Sequence, residues 1–236
     1  MSEPAERPSA EFDPYSRNYD EVVNSSIAFS GLKVDFFTRA KAAYLADIIA
    51  AQFPGRRDVR ILDVGCGVGN YHPYLQDKVG MVDGVDVSEQ SIETARQRNP
   101  AVNYKAYDGL RLPYDDDSFD VAYAICVVHH VPPEQWPQFA RELHRVLRKG
   151  GLALIFEHNP LNPLTQRVVS NCEFDANAVL LKAPTTETLL TDAGFSDVGT
   201  RFILTVPAAG QMTRRIDGLF SRLPLGAQYY TRGEKQ

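Results

Sequence analysis

The chain has 236 residues, 44% hydrophobic and 23% charged, enough for one full core in an ordinary globular domain. A formal net charge of −5 supplies no global basic field and weighs against nucleic acid as the main partner. The three cysteines, Cys66, Cys126 and Cys172, lack metal-ligand spacing, so no metal site is expected, and no apolar run reaches the ~18 residues of a transmembrane helix.

The start, MSEPAERPSAEF, is polar and acidic, unlike a signal peptide. With the odd cysteine count it predicts a cytoplasmic protein. Residues 1–10 read as a disordered tail, and residues 11–236 as one domain. FDPYSRNYDEVV then adds aromatic side chains that need packing partners. Lys33–Gln52 carries Val34, Phe37, Ala40, Tyr44, Leu45, Ile48 and Ile49 at helical spacing, and Phe53-Pro54-Gly55 ends it.

Strands and helices then alternate. Val59–Asp63 is an apolar strand followed by Gly65, Gly67 and Gly69. A helix with Pro73 in its first turn runs from about Asn70 to Asp77. Lys78–Asp86 is the second strand, and Ser88 or Ser91 caps a helix that Asn99-Pro100 stops. Val102–Ala106 is a short strand, Asp108–Ser118 an acidic loop, and Phe119–Val128 a buried apolar strand. Glu134–Leu147 is a helix, Lys149-Gly150-Gly151 a stop, and Leu152–Glu157 a fifth strand. This rhythm predicts an α/β fold with a mostly parallel sheet covered on both faces.

After Glu157 the alternation breaks, and residues 159–184 read as a cap insertion over the ligand edge of the sheet. Thr185–Ala193 is a helix, Phe195–Val206 a strand, Gln211–Leu223 a helix and Ala227–Thr231 a last strand. Arg214, Arg215 and Arg222 share their segment with Met212, Ile216, Leu219, Phe220 and Leu223. Such a segment either packs on the sheet as an amphipathic helix or makes a peripheral contact with an anionic membrane.

Parallel α/β sheets bind ligands at the carboxyl ends of their strands. Here those ends carry Asp63 with the glycine turn, Asp86, Asp108 with Gly109, and Cys126 followed by His129. Singly, each has a plainer reading: turn glycines, a helix cap, a loop acid. In this order on alternating strands they point to a nucleoside site. The G-x-G-x-G spacing differs from the dinucleotide G-x-G-x-x-G, and no Lys-Ser/Thr completes a P-loop. Asp63 beside the turn would repel a pyrophosphate and suits a ligand bearing an amino group and a sulfonium.

DVGCGVGNY, GVDVSEQSI, YDGLRLPYDDDSFDVAYA and LHRVLRKGGLALIFE resemble the motif series of class I S-adenosylmethionine-dependent methyltransferases, of the methyltransferase type 11 group. The resemblance spans roughly residues 15–157. It implies a Rossmann-like sheet of seven strands with the last reversed, and S-adenosyl-L-methionine as cofactor. It implies that Asp63, Gly65, Gly67 and Gly69 hold the methionine part, Asp86 with Val87 the ribose, and Asp108 with Gly109 the adenine. It adds Cys126 to the cofactor residues, and Tyr15 and Tyr19 as a segment closing over the cofactor. EHNPLNPLTQRVVSNCEFDANAVLL is similar to a bacterial subset associated with surface-polysaccharide or lipid-linked chemistry.

A neutral imidazole suits removal of a proton from an oxygen or nitrogen acceptor. His129 is the first candidate and His158 the second, the alternative being that His129 only shapes the pocket. The expected function is methyl transfer to a small or lipid-linked acceptor, with sugars included. The alternative is a non-catalytic S-adenosylmethionine-binding partner subunit.

Overall fold

The computed structural model describes residues 19–28, 31–76, 78–206 and 210–236. The expected tail at 1–10 and Tyr15 lie outside the described residues, as does the side chain of Tyr19. In chain order the elements are α1 (Tyr19–Ile27), α2 (Val34–Gln52), β1 (Arg60–Val64), α3 (His72–Leu75), β2 (Met81–Asp86), α4 (Glu89–Arg98), β3 (Asn103–Ala106) and β4 (Phe119–Ile125). Then follow α5 (Trp136–Val146), β5 (Leu147–His158), α6 (Pro163–Ser170), α7 (Ala183–Asp192), β6 (Phe195–Ile203), α8 (Gln211–Gly218) and β7 (Gln228–Lys235).

The seven strands form one sheet in the order β3-β2-β1-β4-β5-β7-β6. The pairs from β3 to β5 are parallel, and β7 runs antiparallel to both neighbours. The expected seven-stranded sheet with a reversed last strand is therefore present. The strand order reverses between β1 and β4, which is where a parallel α/β sheet opens its ligand crevice.

Period-two alternation splits the core into two layers. Ile61, Val121, Tyr123, Leu152, Leu154 and Phe156 point to the face covered by Ala42, Leu45 and Ile49 of α2. Leu62, Val64, Ala122, Ala124, Ala153 and Ile155 point to the other face, under Phe139, Leu143 and Val146 of α5 and Leu190 of α7. Burial of Phe139, Leu143 or Val146 contributes about 1.5–3 kcal/mol each.

Several boundaries differ from expectation for local reasons. The expected stop at Lys149-Gly150-Gly151 is a bulge inside β5, where the register with β4 shifts and Gly150 takes a φ of +74°. β7 extends to Lys235 because it pairs on both edges. The Gln211–Leu223 helix ends at Gly218. Its polarity is also inverted: Asp217 is fully buried, while Met212 and Leu219 are 75% and 81% exposed. The segment 159–184 contains α6 and a 3-10 turn at Glu173–Asp175.

Candidate functional site

β1 runs directly into the glycine turn. Gly65, Gly67 and Gly69 all have positive φ, a region closed to most side chains. Their surroundings differ. A Cβ on Gly65 would strike Val127, and one on Gly69 would strike Tyr104 and Asn99, whereas Gly67 has open space on that side. Gly65 and Gly67 line the main cavity, and Gly69 packs beneath it. The turn also uses several of its own N–H groups. Gly65 and Cys66 donate to the Val85 carbonyl, and Gly67 donates to Asp86 Oδ2 at 2.8 Å.

Asp63 is 2% exposed and does not line the cavity. Its Oδ2 accepts from His72 Nε2 at 3.0 Å. His72 Nδ1 pairs with the Tyr104 hydroxyl, which accepts from Asn99 Nδ2 at 3.1 Å, and that amide also donates to the Gly69 carbonyl. A buried chain of hydrogen bonds thus anchors the turn from below. His72, Tyr104 and Asn99 escaped the sequence reading because each looks like an ordinary helix or strand residue.

Asp86, at the end of β2, accepts from Ser88 N–H at 2.9 Å through its second oxygen. Burial pushes its carboxyl up to about 6 against the lowering effect of the Ser88 and Gly67 N–H groups. Ser88 caps α4 by accepting from Ser91 N–H. Val87, Tyr107 and Gly109 line the cavity beside Asp86. Asp108 does not: it is exposed, accepts from the Leu110 and Arg111 N–H groups, and faces an outer groove with Lys105.

The cavity holds about 460 Å³, within the range of small-molecule sites. It is lined by the glycine turn and Asp86 and also by Ile27 of α1, Phe36 and Phe37 of α2, and Val168 of α6. Cys126, with a φ of +57°, lines it as well. Lys41 Nζ and Gln228 Nε2 lie 3.6 Å and 3.7 Å from its sulfur. Burial would raise the Cys126 thiol, but the Lys41 ammonium and His158 beside it bring it below its ordinary value.

His158 lines the cavity at the end of β5, and its Nδ1 accepts from Gln228 Nε2 at 3.3 Å. The reversed strand places Gln228 there, because His158 and Gln228 are register partners. His129 is 1% exposed. Its Nδ1 meets Glu157 Oε2 at 2.5 Å, and its Nε2 lies 3.6 Å from Asp175 Oδ1. Burial would lower the imidazole, yet the Glu157 and Asp175 carboxylates hold it well above its ordinary value. Both ring nitrogens of His129 face carboxylates, so the lone pair expected of a proton acceptor is not offered to the cavity. His158 meets that condition once the Gln228 amide, whose Oε1 has no partner, is turned so that Nδ1–H donates to it and Nε2 of the ring keeps its lone pair.

The polar residues of segment 159–184 are occupied mainly with folding. Asn159 is 1% exposed and bridges the Pro224 and Gly226 carbonyls, and Asn162 caps α6. Asp175 instead reaches the cavity.

A family model described as a methyltransferase domain matches residues 62–155. A 27-O-demethylrifamycin SV methyltransferase of Amycolatopsis mediterranei is 37% identical over 45% of this chain and 41% of its own length. A demethylmenaquinone methyltransferase of Chlorobaculum parvum is 31% identical over 66% of this chain and 62% of its own length. The chain therefore spans less than two thirds of the length of these curated relatives. A solved SAM-dependent methyltransferase of Thermotoga maritima shares the fold with a TM-score of 0.65 at 21% identity, covering 97% of this chain and 100% of its own. The open space over Gly67 and the buried Asp86, both lining the cavity, fit the family's cofactor, S-adenosylmethionine. Residues 62–155 thus form a methyltransferase domain of the type 11 group, and the strand order around a reversed seventh gives the chain the fold of class I S-adenosylmethionine-dependent methyltransferases.

Proposed function

We propose that the chain transfers a methyl group from S-adenosylmethionine to an oxygen or nitrogen of a small molecule with an apolar body, lipid-linked acceptors included. The observation that carries this reading is the single cavity lined by Gly67 and Asp86 together with Cys126, His158 and apolar residues of α1, α2 and α6. The name of the Amycolatopsis relative specifies oxygen as its acceptor atom, which favours oxygen here.

When bound, S-adenosylmethionine supplies an electrophilic methyl group on a sulfonium, so alignment in a dry site counts for most of the rate. Gly65 and Gly67 let the methionine part approach the backbone, while Asp63 and Gly69 hold the turn in shape from below. Asp86 accepts the ribose hydroxyls, and Val87 and Gly109 border the adenine. Asp108 supports that border by fixing its own loop, and Tyr15 and Tyr19 close over the cofactor. Cys126 and Lys41 line the passage to the acceptor, whose proton passes to His158. The exposed Met212, Ile216, Leu219 and Leu223, with Arg215 and Arg222, provide a peripheral membrane contact for delivery of an apolar acceptor.

The same cavity would serve a non-catalytic cofactor-binding partner subunit, and one experiment separates the two. The chain is incubated with cell extracts and S-adenosylmethionine labelled in its methyl group. We expect labelled product in the organic phase. His158→Ala should lower kcat on that product by about a hundredfold, with cofactor affinity within about twofold of the parent. Cofactor binding without any labelled product would favour the subunit reading, and no cofactor binding would sink both.

A further inference from the structure

One group in the cavity is not used by the reaction as described. His129 and His130 sit together on a 3-10 turn, Val128–His130, directly after β4. Asp175 comes from the separate 3-10 turn beyond α6. The three side chains converge: His130 Nε2 lies 3.3 Å from Asp175 Oδ1, and His129 Nε2 lies 3.6 Å from the same oxygen. One ligand atom from each of the three falls within 4.8 Å of the other two. All three residues line the cavity on the side of His158, whose ring centre is 5.3 Å from that of His129.

These separations have a chemical meaning. First-row divalent cations bind imidazole nitrogen and carboxylate oxygen at about 2.0–2.2 Å. Two ligands at that length subtend about 3.0 Å at a right angle and about 3.4 Å at a tetrahedral angle. Both distances to Asp175 therefore stand close to coordination spacing before any ion is added. The surrounding groups fit as well. Glu157 Oε2 accepts from His129 Nδ1, so Nε2 is the nitrogen turned towards Asp175. Glu157 Oε1 accepts in turn from Val128 N–H at 2.8 Å, which fixes the carboxylate. A carboxylate behind a ligating histidine is the usual outer support of such a centre.

We propose that His129, His130 and Asp175 bind a divalent first-row cation, with two imidazoles and one carboxylate as protein ligands and the open positions facing the acceptor half of the cavity. This donor set suits Zn2+, Mn2+, Fe2+ or Co2+ and leaves room for an oxygen ligand. An acceptor hydroxyl taking that position is held in place and loses its proton more readily. The O–H proton goes to His158, the oxygen pair forms the new bond to the methyl carbon, and the carbon–sulfur pair stays on sulfur. The use of the cation rests on the transfer reaction proposed above; its binding does not. The sequence spacing hides the site, because Asp175 is far from the histidine pair along the chain.

The test reads metal directly. The full chain, stripped with chelator, is titrated with Co2+ and followed by its visible d–d bands, with Zn2+ displacing it. We expect saturation at one equivalent and an affinity loss of at least about a hundredfold in both His130→Ala and Asp175→Asn. Asp86→Asn should leave Co2+ affinity within about twofold, so failure of cofactor binding and failure of metal binding are told apart. X-ray absorption at the zinc edge of the parent protein should show two imidazoles and one carboxylate oxygen, which guards against variants that fail to fold. No saturable uptake of Co2+, Zn2+ or Mn2+, or uptake indifferent to both substitutions, would overturn the site.

Discussion

In the proposed reading, Asp86 is the side chain that would couple cofactor binding to pH. Its carboxyl is raised from 3.8 to about 6, by burial above all. The folded chain then holds this proton more tightly than the unfolded chain, so the group lowers stability as pH rises through that window. The proposed ribose contact needs the ionised form, and apparent affinity scales with the competent fraction. At pH 5 about one tenth is ionised, so the Kd for S-adenosylmethionine should be about tenfold higher than at pH 8. Calorimetric titrations at the two values would show it, and equal Kd values would remove Asp86 from the ribose. The contrast with Asp108 is instructive. In the sequence the two acids look alike, but one is buried against the turn and the other is exposed and bonded to its own loop.

At the scale of elements, α8 works as a clasp. Asp217 Oδ1 accepts from the Thr205 and Val206 N–H groups, and Oδ2 from Leu204 N–H and the Tyr44 hydroxyl. This ties the end of β6 to α2 on one side of the cavity, since Leu204, Thr205 and Val206 all line it. Burial and the Asp217 carboxylate raise the Tyr44 phenol well above its ordinary value, so it stays a donor. Asp217→Ala strands three N–H groups and a hydroxyl, and we expect a loss of about 3 kcal/mol. Urea unfolding would register it as a lower midpoint at unchanged slope, and a loss below about 1 kcal/mol would mean that water replaces the carboxylate. The amphipathic pattern of Gln211–Leu223 suggested that its apolar side faced the sheet. The opposite arrangement follows from Asp217, whose four hydrogen bonds outweigh the burial of Leu219.

For the whole molecule, the exposed apolar row of α8 and the turn after it is the surface that the proposed membrane contact would use. Met212, Ile216, Leu219, Phe220 and Leu223 all lie open, and Arg215 and Arg222 are exposed beside them. Arg214 is engaged elsewhere, at 2.9 Å from Asp47. Among the described residues no helix is long and apolar enough to cross a membrane. The chain should sediment with vesicles rich in phosphatidylglycerol, and Leu219→Glu with Phe220→Glu should abolish this. No sedimentation at low salt would confine the acceptor to molecules that diffuse freely.

The sequence by itself determined the alternating strands and helices of a mostly parallel sheet and, through its motifs, the cofactor class. Those properties follow from local signals: apolar runs, glycines at positive φ, helix caps, and acids at fixed places after strands. Ser88 before α4 and Gly67 after β1 are legible in this way because neighbours along the chain create their roles. Tertiary structure alone decided the surroundings of His158 and His129. Gln228 reaches His158 only through the antiparallel pairing of β7 with β5, and Asp175 reaches the histidine pair only when the segment after α6 folds back over β4. Contacts between distant segments leave no periodicity to read. His129 marks the boundary: its place after β4 was visible in the sequence, but the two carboxylates that set its charge come from β5 and the turn beyond α6.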